Sequence, residues 1–249
     1  MVEYHSHVKA SGGETGVLIY RLTIGVGVLL ILGMSVGSAF LVMYARTRAA
    51  MTICRANLSQ LGHRMGAFRD EFGHLPPAHV VAPNGSRLHG WRILVTKYID
   101  PDFSSCSYDF TEPWDSAKNQ RVRDRRPNFF ACPSDPVTQE ERRLTNYFVV
   151  TGSDTPFPDS ETTAGPKGSS NTILMVEASN LSIEWLEPRD LKFDGMSLVP
   201  DDARRPSISS HHSAGPFVVM ADGSTRSIKG IAPEVLRAML QYQPDSVDD

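Results

Sequence analysis

The chain has 249 residues, a formal charge of −3 and 21% charged residues, so neither a strongly basic nucleic-acid binder nor a highly charged disordered chain fits it. The 19 glycines and 17 prolines suit a loop-rich domain better than a helical bundle. Three cysteines, Cys54, Cys106 and Cys132, with no CxxC pair, argue against a zinc ribbon or a thioredoxin-type motif.

In chain order, the first feature is an uncharged run between Arg21 and Arg46, "LTIGVGVLLILGMSVGSAFLVMYA". As a helix it spans about 36 Å, enough to cross a hydrocarbon core of roughly 30 Å with some tilt. Residues 22–45 are therefore read as a transmembrane helix, with residues 1–21 as a leader or cytoplasmic segment. A cleaved signal peptide with "GSA" ending at Ala39 is the alternative, but the preceding stretch is long for an n-region. Gly33 and Gly37 form a GxxxG spacing that would let helices approach closely. Charge votes weakly on orientation: Lys9 and Arg21 precede the span, and Arg46, Arg48 and Arg55 follow it, which leans toward a cytoplasmic C-terminal domain.

Beyond the span, Met51, Cys54, Leu58, Leu61, Met65, Phe68 and Phe72 recur at alternating spacings of three and four. That is a single stripe on an amphipathic helix. Arg55, Gln60, Arg64, Arg69 and Glu71 occupy the opposite face. Gly73 and Pro76-Pro77 end it. No breaker separates stripe from span, so one helix from about Leu22 to Phe72, about 75 Å long, is expected. Cys54 reads as a small buried apolar residue of the stripe.

The remainder of a 46–242 domain is punctuated by Pro, Gly, Asn and Asp. "NYFVVTG", "NTILMVEA" and "PFVVMADGSTRSI" read as strands, and "WRILVTKYI" as a strand or a short helix. Spacers without crossover helices predict an antiparallel sheet. "APEVLRAMLQY" reads as a closing amphipathic helix with Pro233 near its first turn, and residues 243–249 as an acidic tail. Glu177 ends an apolar strand and reads as a carboxylate facing water, with a pocket as the alternative.

Candidate chemistry is sparse. No GxSxG, HExxH, P-loop or GxGxxG motif occurs. His211, His212 and Asp222 could supply a metal or a base-and-orienter pair, but "FVVMA", Asp222-Gly223 and "STRSIK" also describe a hairpin with a two-residue turn, its histidine bonding a loop carbonyl. The structural reading is preferred, so no catalytic and no metal-ligating residue is assigned. Asp194, Asp201 and Asp202 match no calcium loop. Asp109, Glu112 and Asp115 around Trp114 suggest a solvated loop, or a site for a cation or a sugar. Cys106 and Cys132, both in loop-like sequence, are the candidate disulfide if the domain is exported, with Cys54–Cys132 as the main rival.

These residues resemble the prepilin-type, pseudopilin-like family of unknown function named for His, nine residues and Asp-Gly. His212, Asp222 and Gly223 fit that signature. "CRANLSQLG", "HLPPA", "HGWRILVTKYID", "EPWD" with Asn119, "FFACPSDP", "TNYFVVTG", "GSSNTILMVEAS" and "EWLEPRDL" resemble its blocks in order, covering about residues 50 to 242. The resemblance implies an α+β, pilin-like fold: a long N-terminal transmembrane-plus-amphipathic helix packed on an antiparallel sheet, with a short C-terminal helix. It implies an inner-membrane, single-pass protein with an extracytoplasmic domain, against the weak charge vote. It also implies partners among pseudopilin-like subunits or a type II secretion or type IV pilus-like apparatus, no nucleic acid and no enzymatic activity. No cofactor is expected; calcium is the one candidate, belonging to an alternative reading as a glycan- or calcium-binding module. The N-terminus departs from the pattern. After Gly16 the family carries an acid at the fifth position, which pairs with a neighbour's N-terminal amine, and here Arg21 would repel that amine. A chain that keeps its first 21 residues, as a monomer or minor partner, is the expectation.

Overall fold

The computed structural model describes residues 13–98, 108–158 and 169–242. Helix α1 runs unbroken over Gly13–Phe72, beginning before the expected Leu22 because no breaker lies between them. The chain divides into two units, with the boundary inside α1 after Arg48. In the first unit large apolar side chains from Val17 to Tyr44 are exposed all round the helix. A helix that is apolar on every side has no polar face to give to water, and this one is long and apolar enough to cross a membrane. Gly33 and Gly37 lie on this surface with open space where a Cβ would stand.

The second unit begins at Ala49. Cys54, Leu58, Leu61, Met65 and Phe68 of the stripe are buried, Met51 is half-buried and Phe72 is exposed. The stripe packs on one face of an antiparallel sheet of β3 (Tyr147–Phe148), β5 (Ile173–Glu177), β7 (Phe217–Met220) and β8 (Thr225–Ser227), in that order. Side chains alternate across a strand. Phe217 and Val219 therefore join Leu58, Leu61 and Met65 in one core, while Val218 and Met220 join Leu236 and Leu240 of the closing helix α5 (Pro233–Leu240) in a second. Gly62 marks the closest approach of α1 to the sheet: a Cβ there would stand 2.5 Å from Val219 Cγ1.

One local reading left open is decided and two are corrected. "WRILV" is the helix α2 (Trp91–Thr96), following the antiparallel pair β1 (His79–Val81) and β2 (Arg87–Gly90). A stretch of six residues, all but one of them buried, is too short to carry a period that separates strand from helix. The "NYFVVTG" run divides into β3 and β4 (Val150–Thr151), and β4 pairs parallel with β6 (Leu191–Lys192), a small exception to the antiparallel rule. The β7–β8 turn holds three residues, not two. Val219 pairs with Thr225, and Met220 N–H donates to Ser224 O at 2.8 Å, so residues 221–223 form the loop. Gly223 takes the left-handed conformation (φ +83°) that closes a three-residue hairpin.

The quoted blocks meet as cross-links. Arg92 is fully buried and its Nη2 lies 2.6 Å from Asp190 Oδ1. Trp91 Nε1 and Val149 N–H donate to the same oxygen at 3.1 Å. Arg92 also donates to Tyr147 O through Nε and Nη2. Burial pushes the Asp190 carboxyl up to about 6, against the pull of Arg92, Trp91 and Val149. Asn146 accepts from Cys132 N–H and Thr138 Oγ1 and donates to Asp135, the cap of the short helix α4 (Pro136–Glu140), which follows the single-turn helix α3 (Gln120–Arg123). Trp185 stacks on Phe130, ring centroids 5.4 Å apart.

Candidate functional site

Helix α1 brings Cys54 to the sheet as part of its buried stripe. The segment after the single turn Asn128–Phe130 brings Cys132 to the same place, and the two sulfurs form a disulfide with Cα atoms 4.8 Å apart. This overturns the expected Cys106–Cys132 pairing in favour of its rival; Cys106 lies outside the described residues. Cys54 does pack as a small buried residue, but as half of a cross-link.

Strand β5 supplies the next member. Its five residues, "ILMVE", are all buried. A register irregularity between Ile173 and Met175 breaks the alternation, so Leu174 and Met175 both join the core on the α1 side. Glu177, at the strand end, is 1% exposed and does not face water as expected. Its Oε2 accepts Phe217 N–H at 3.1 Å and stands 3.0 Å from His212 Nε2. Tyr147 pairs with Glu177 across the strands, and its hydroxyl donates to Cys54 O at 3.2 Å. Burial, with Glu177 close by, drives the Tyr147 phenol well above its ordinary value.

His212 lies in the loop before β7 and its side chain is fully buried, its ring 4.9 Å from that of Phe217. It does not reach Asp222. Phe217 N–H donates to Oε2, and the His212 ring meets the same oxygen through Nε2. Nδ1 has no hydrogen-bond partner. Leaving such an atom buried costs about 1–3 kcal/mol. Among the described residues, Cys54, Cys132, Glu177 and His212 form a group whose ligand atoms all lie within 4.8 Å of one another. The sequence reading missed this group because its members sit on four separate segments. A glutamate ending a wholly apolar strand was the one local signal.

The other candidates disperse. His211 is partly exposed and 3.5 Å from Asp135 Oδ1. Asp222 accepts Ser224 N–H and Oγ as a turn residue. Lys118 bridges Asp109 and Glu112, Asn119 donates to the Asp109 and Pro113 carbonyls, and Arg123 lies over Trp114 at 5.1 Å. This closes the acidic loop on itself. Asp201 accepts Ser210 N–H and Asp202 pairs with Arg205, and neither they nor Asp194 join the buried group.

The family model for a protein of unknown function, DUF1559, matches residues 44–173, more than half of the chain. The chain belongs to the DUF1559 family. The DUF1559 match contains Cys54, Gly62, Trp91, Cys132 and Asn146 and stops at the first residue of β5. Glu177, Asp190 and the stretch from His212 to Gly223 lie beyond it. No curated protein and no solved structure matches the chain.

Proposed function

We propose that the chain is a membrane-anchored, pseudopilin-like structural or interaction protein without catalytic activity. It is held in the inner membrane by the first part of α1, with residues 49–242 outside the cytoplasm, beside pseudopilin-like subunits or a type II secretion or type IV pilus-like apparatus. The observation that carries this reading is α1 itself. The same helix is exposed and apolar on all sides from Val17 to Tyr44 and contributes its buried stripe, from Cys54 to Phe68, to the domain core. An anchor that is also a core element suits a scaffold. The Cys54–Cys132 disulfide suits an oxidising compartment. His212, with a fully buried side chain, suits a structural signature better than a group that meets substrate. Arg21, placed where an acid would pair with a neighbour's amine, suits a monomer or minor subunit over a filament-forming one.

Protease added to intact spheroplasts tests the topology: degradation of the C-terminal domain is expected, and full protection overturns the exported arrangement. Mass spectrometry of the mature N-terminus tests the role of Arg21. Retention of the first 21 residues is expected; cleavage after Gly16 would restore filament entry, and cleavage after Ala39 would remove the anchor.

A further inference from the structure

The buried group of Cys54, Cys132, Glu177 and His212 is richer than a structural cross-link requires. A disulfide needs only its two sulfurs and apolar walls. Here a carboxylate and an imidazole face the same point, both side chains at most 2% exposed, all four ligand atoms within 4.8 Å of one another, and one imidazole nitrogen without a partner. Two soft sulfurs, one imidazole nitrogen and one carboxylate oxygen make a donor set suited to a four-coordinate zinc-class cation.

We propose that the centre has two exclusive states: a disulfide when oxidised, and a tetrahedral zinc-class site of Cys54 Sγ, Cys132 Sγ, a His212 ring nitrogen and a Glu177 carboxylate oxygen when the cysteines are thiols. In the thiol form the sulfurs separate to about 3.8 Å across a metal with 2.3 Å bonds. The Nε2 and Oε2 atoms, 3.0 Å apart, need little movement to share the ion. Binding releases the two thiol protons. Oxidation by a disulfide donor reverses it: the donor takes two electrons and becomes a dithiol, its two sulfurs take up two protons, the Cys54–Cys132 bond forms and the cation leaves. The chain is made with thiols, so the metal form is open to it before oxidation. Two thiolates and one carboxylate brought together without a cation would repel one another in a dry site. The cation removes that conflict, and disulfide formation removes it by another route.

The test uses the full chain in detergent, independently of its topology in the cell. A phosphine reductant converts the disulfide to two thiols, water supplying the protons and the phosphine oxide taking the oxygen. Cobalt(II) is then titrated in without oxygen, followed by zinc. Expected are one cobalt per chain, thiolate-to-cobalt charge-transfer absorption with tetrahedral visible bands, displacement by zinc, and no such binding by the oxidised chain. Glu177→Gln and His212→Ala, each first shown to fold in the oxidised form by near-ultraviolet circular dichroism, should each weaken binding by more than the roughly 10–100-fold that losing an outer-shell partner costs. Where His212→Ala does not fold, Glu177→Gln and Cys132→Ser carry the comparison. No cobalt binding by the reduced chain overturns the proposal. So does binding that Glu177→Gln and His212→Ala leave unchanged, which would mean a two-thiol site only, and so does equal binding by the oxidised chain.

Discussion

Gly62 makes the contact between α1 and the sheet open to a test in which the sign of an effect reverses. A methyl group at position 62 would lie 2.5 Å from Val219 Cγ1 and 3.4 Å from Cγ2, where carbon atoms rest at about 3.5–4.0 Å. Val219 is fully buried and stiff at χ1, so turning its methyl groups does not clear the space. Helix and strand would have to part by about 1 Å. Such overpacking costs about 1–3 kcal/mol, against a gain of about 1 kcal/mol from replacing glycine inside a helix. Gly62→Ala should therefore destabilise the domain by about 1 kcal/mol, a fall of roughly 2–4 °C in Tm for a domain of this size. In a Val219→Ala background both offending methyl groups are gone, and Gly62→Ala should instead stabilise by about 1 kcal/mol. The coupling of about 2 kcal/mol lies within the range for contacting residues. Urea unfolding of the four chains in detergent, followed by the fluorescence of the buried Trp91 and Trp185, measures it. A substitution at Gly62 with the same sign and size in both backgrounds would refute the close approach.

Three further outcomes follow from the core. Replacing both Cys54 and Cys132 by alanine frees a loop of sequence separation 78 and should cost about 4.5 kcal/mol in the chain-entropy model; equilibrium unfolding with a chelator present reads it, and a loss under 1 kcal/mol would show that the cross-link constrains little. Arg92→Met strands Asp190, with an expected loss of about 3–5 kcal/mol near neutral pH. The deficit should shrink as pH falls, since protonation of Asp190 removes the stranded charge, and a deficit independent of pH would argue against that account. His89 Nε2–H donates to Phe110 O at 2.9 Å, its Nδ1 meets the Tyr108 hydroxyl at 2.8 Å, and burial holds its ring below the usual imidazole value. Below about 6.5 the unfolded chain then binds protons that the folded chain resists, so stability should fall as pH drops from that value toward the lower folded one. Proton NMR titration of His89, and the loss of this slope in His89→Gln, check it; a ring titrating above 6.5 would reverse the sign.

How far the sequence could be read depended on whether the signal was local. The stripe from Met51 to Phe72 was legible because a 3.6-residue period survives in any window that contains it. The β7–β8 hairpin was legible from its turn residues, and only its loop length was off, because Asp-Gly is compatible with two-residue and three-residue loops alike. The partner of Cys132 was not legible. Cys106 and Cys54 differ in distance along the chain by a factor of three, and closure entropy changes by only about 0.6 kcal/mol per doubling. That is too little to choose a partner, and the choice falls to packing: Cys54 sits on the one helical face that the sheet covers.

Glu177 was misread for a related reason. A strand-end carboxylate is exposed when the strand alternates, but "ILMVE" is buried at every position, since α1 covers one face and α5 the other. With both faces covered, nowhere on that strand leads to water, and a carboxylate there must find donors. Phe217 N–H and His212 supply them. Seen from Glu177, His212 is positioned for a residue 35 places before it, and Asp222-Gly223 serves the turn. His212 and Asp222-Gly223 therefore carry two separate tasks, one buried and one at the hairpin tip, and only the buried one reaches the cysteines.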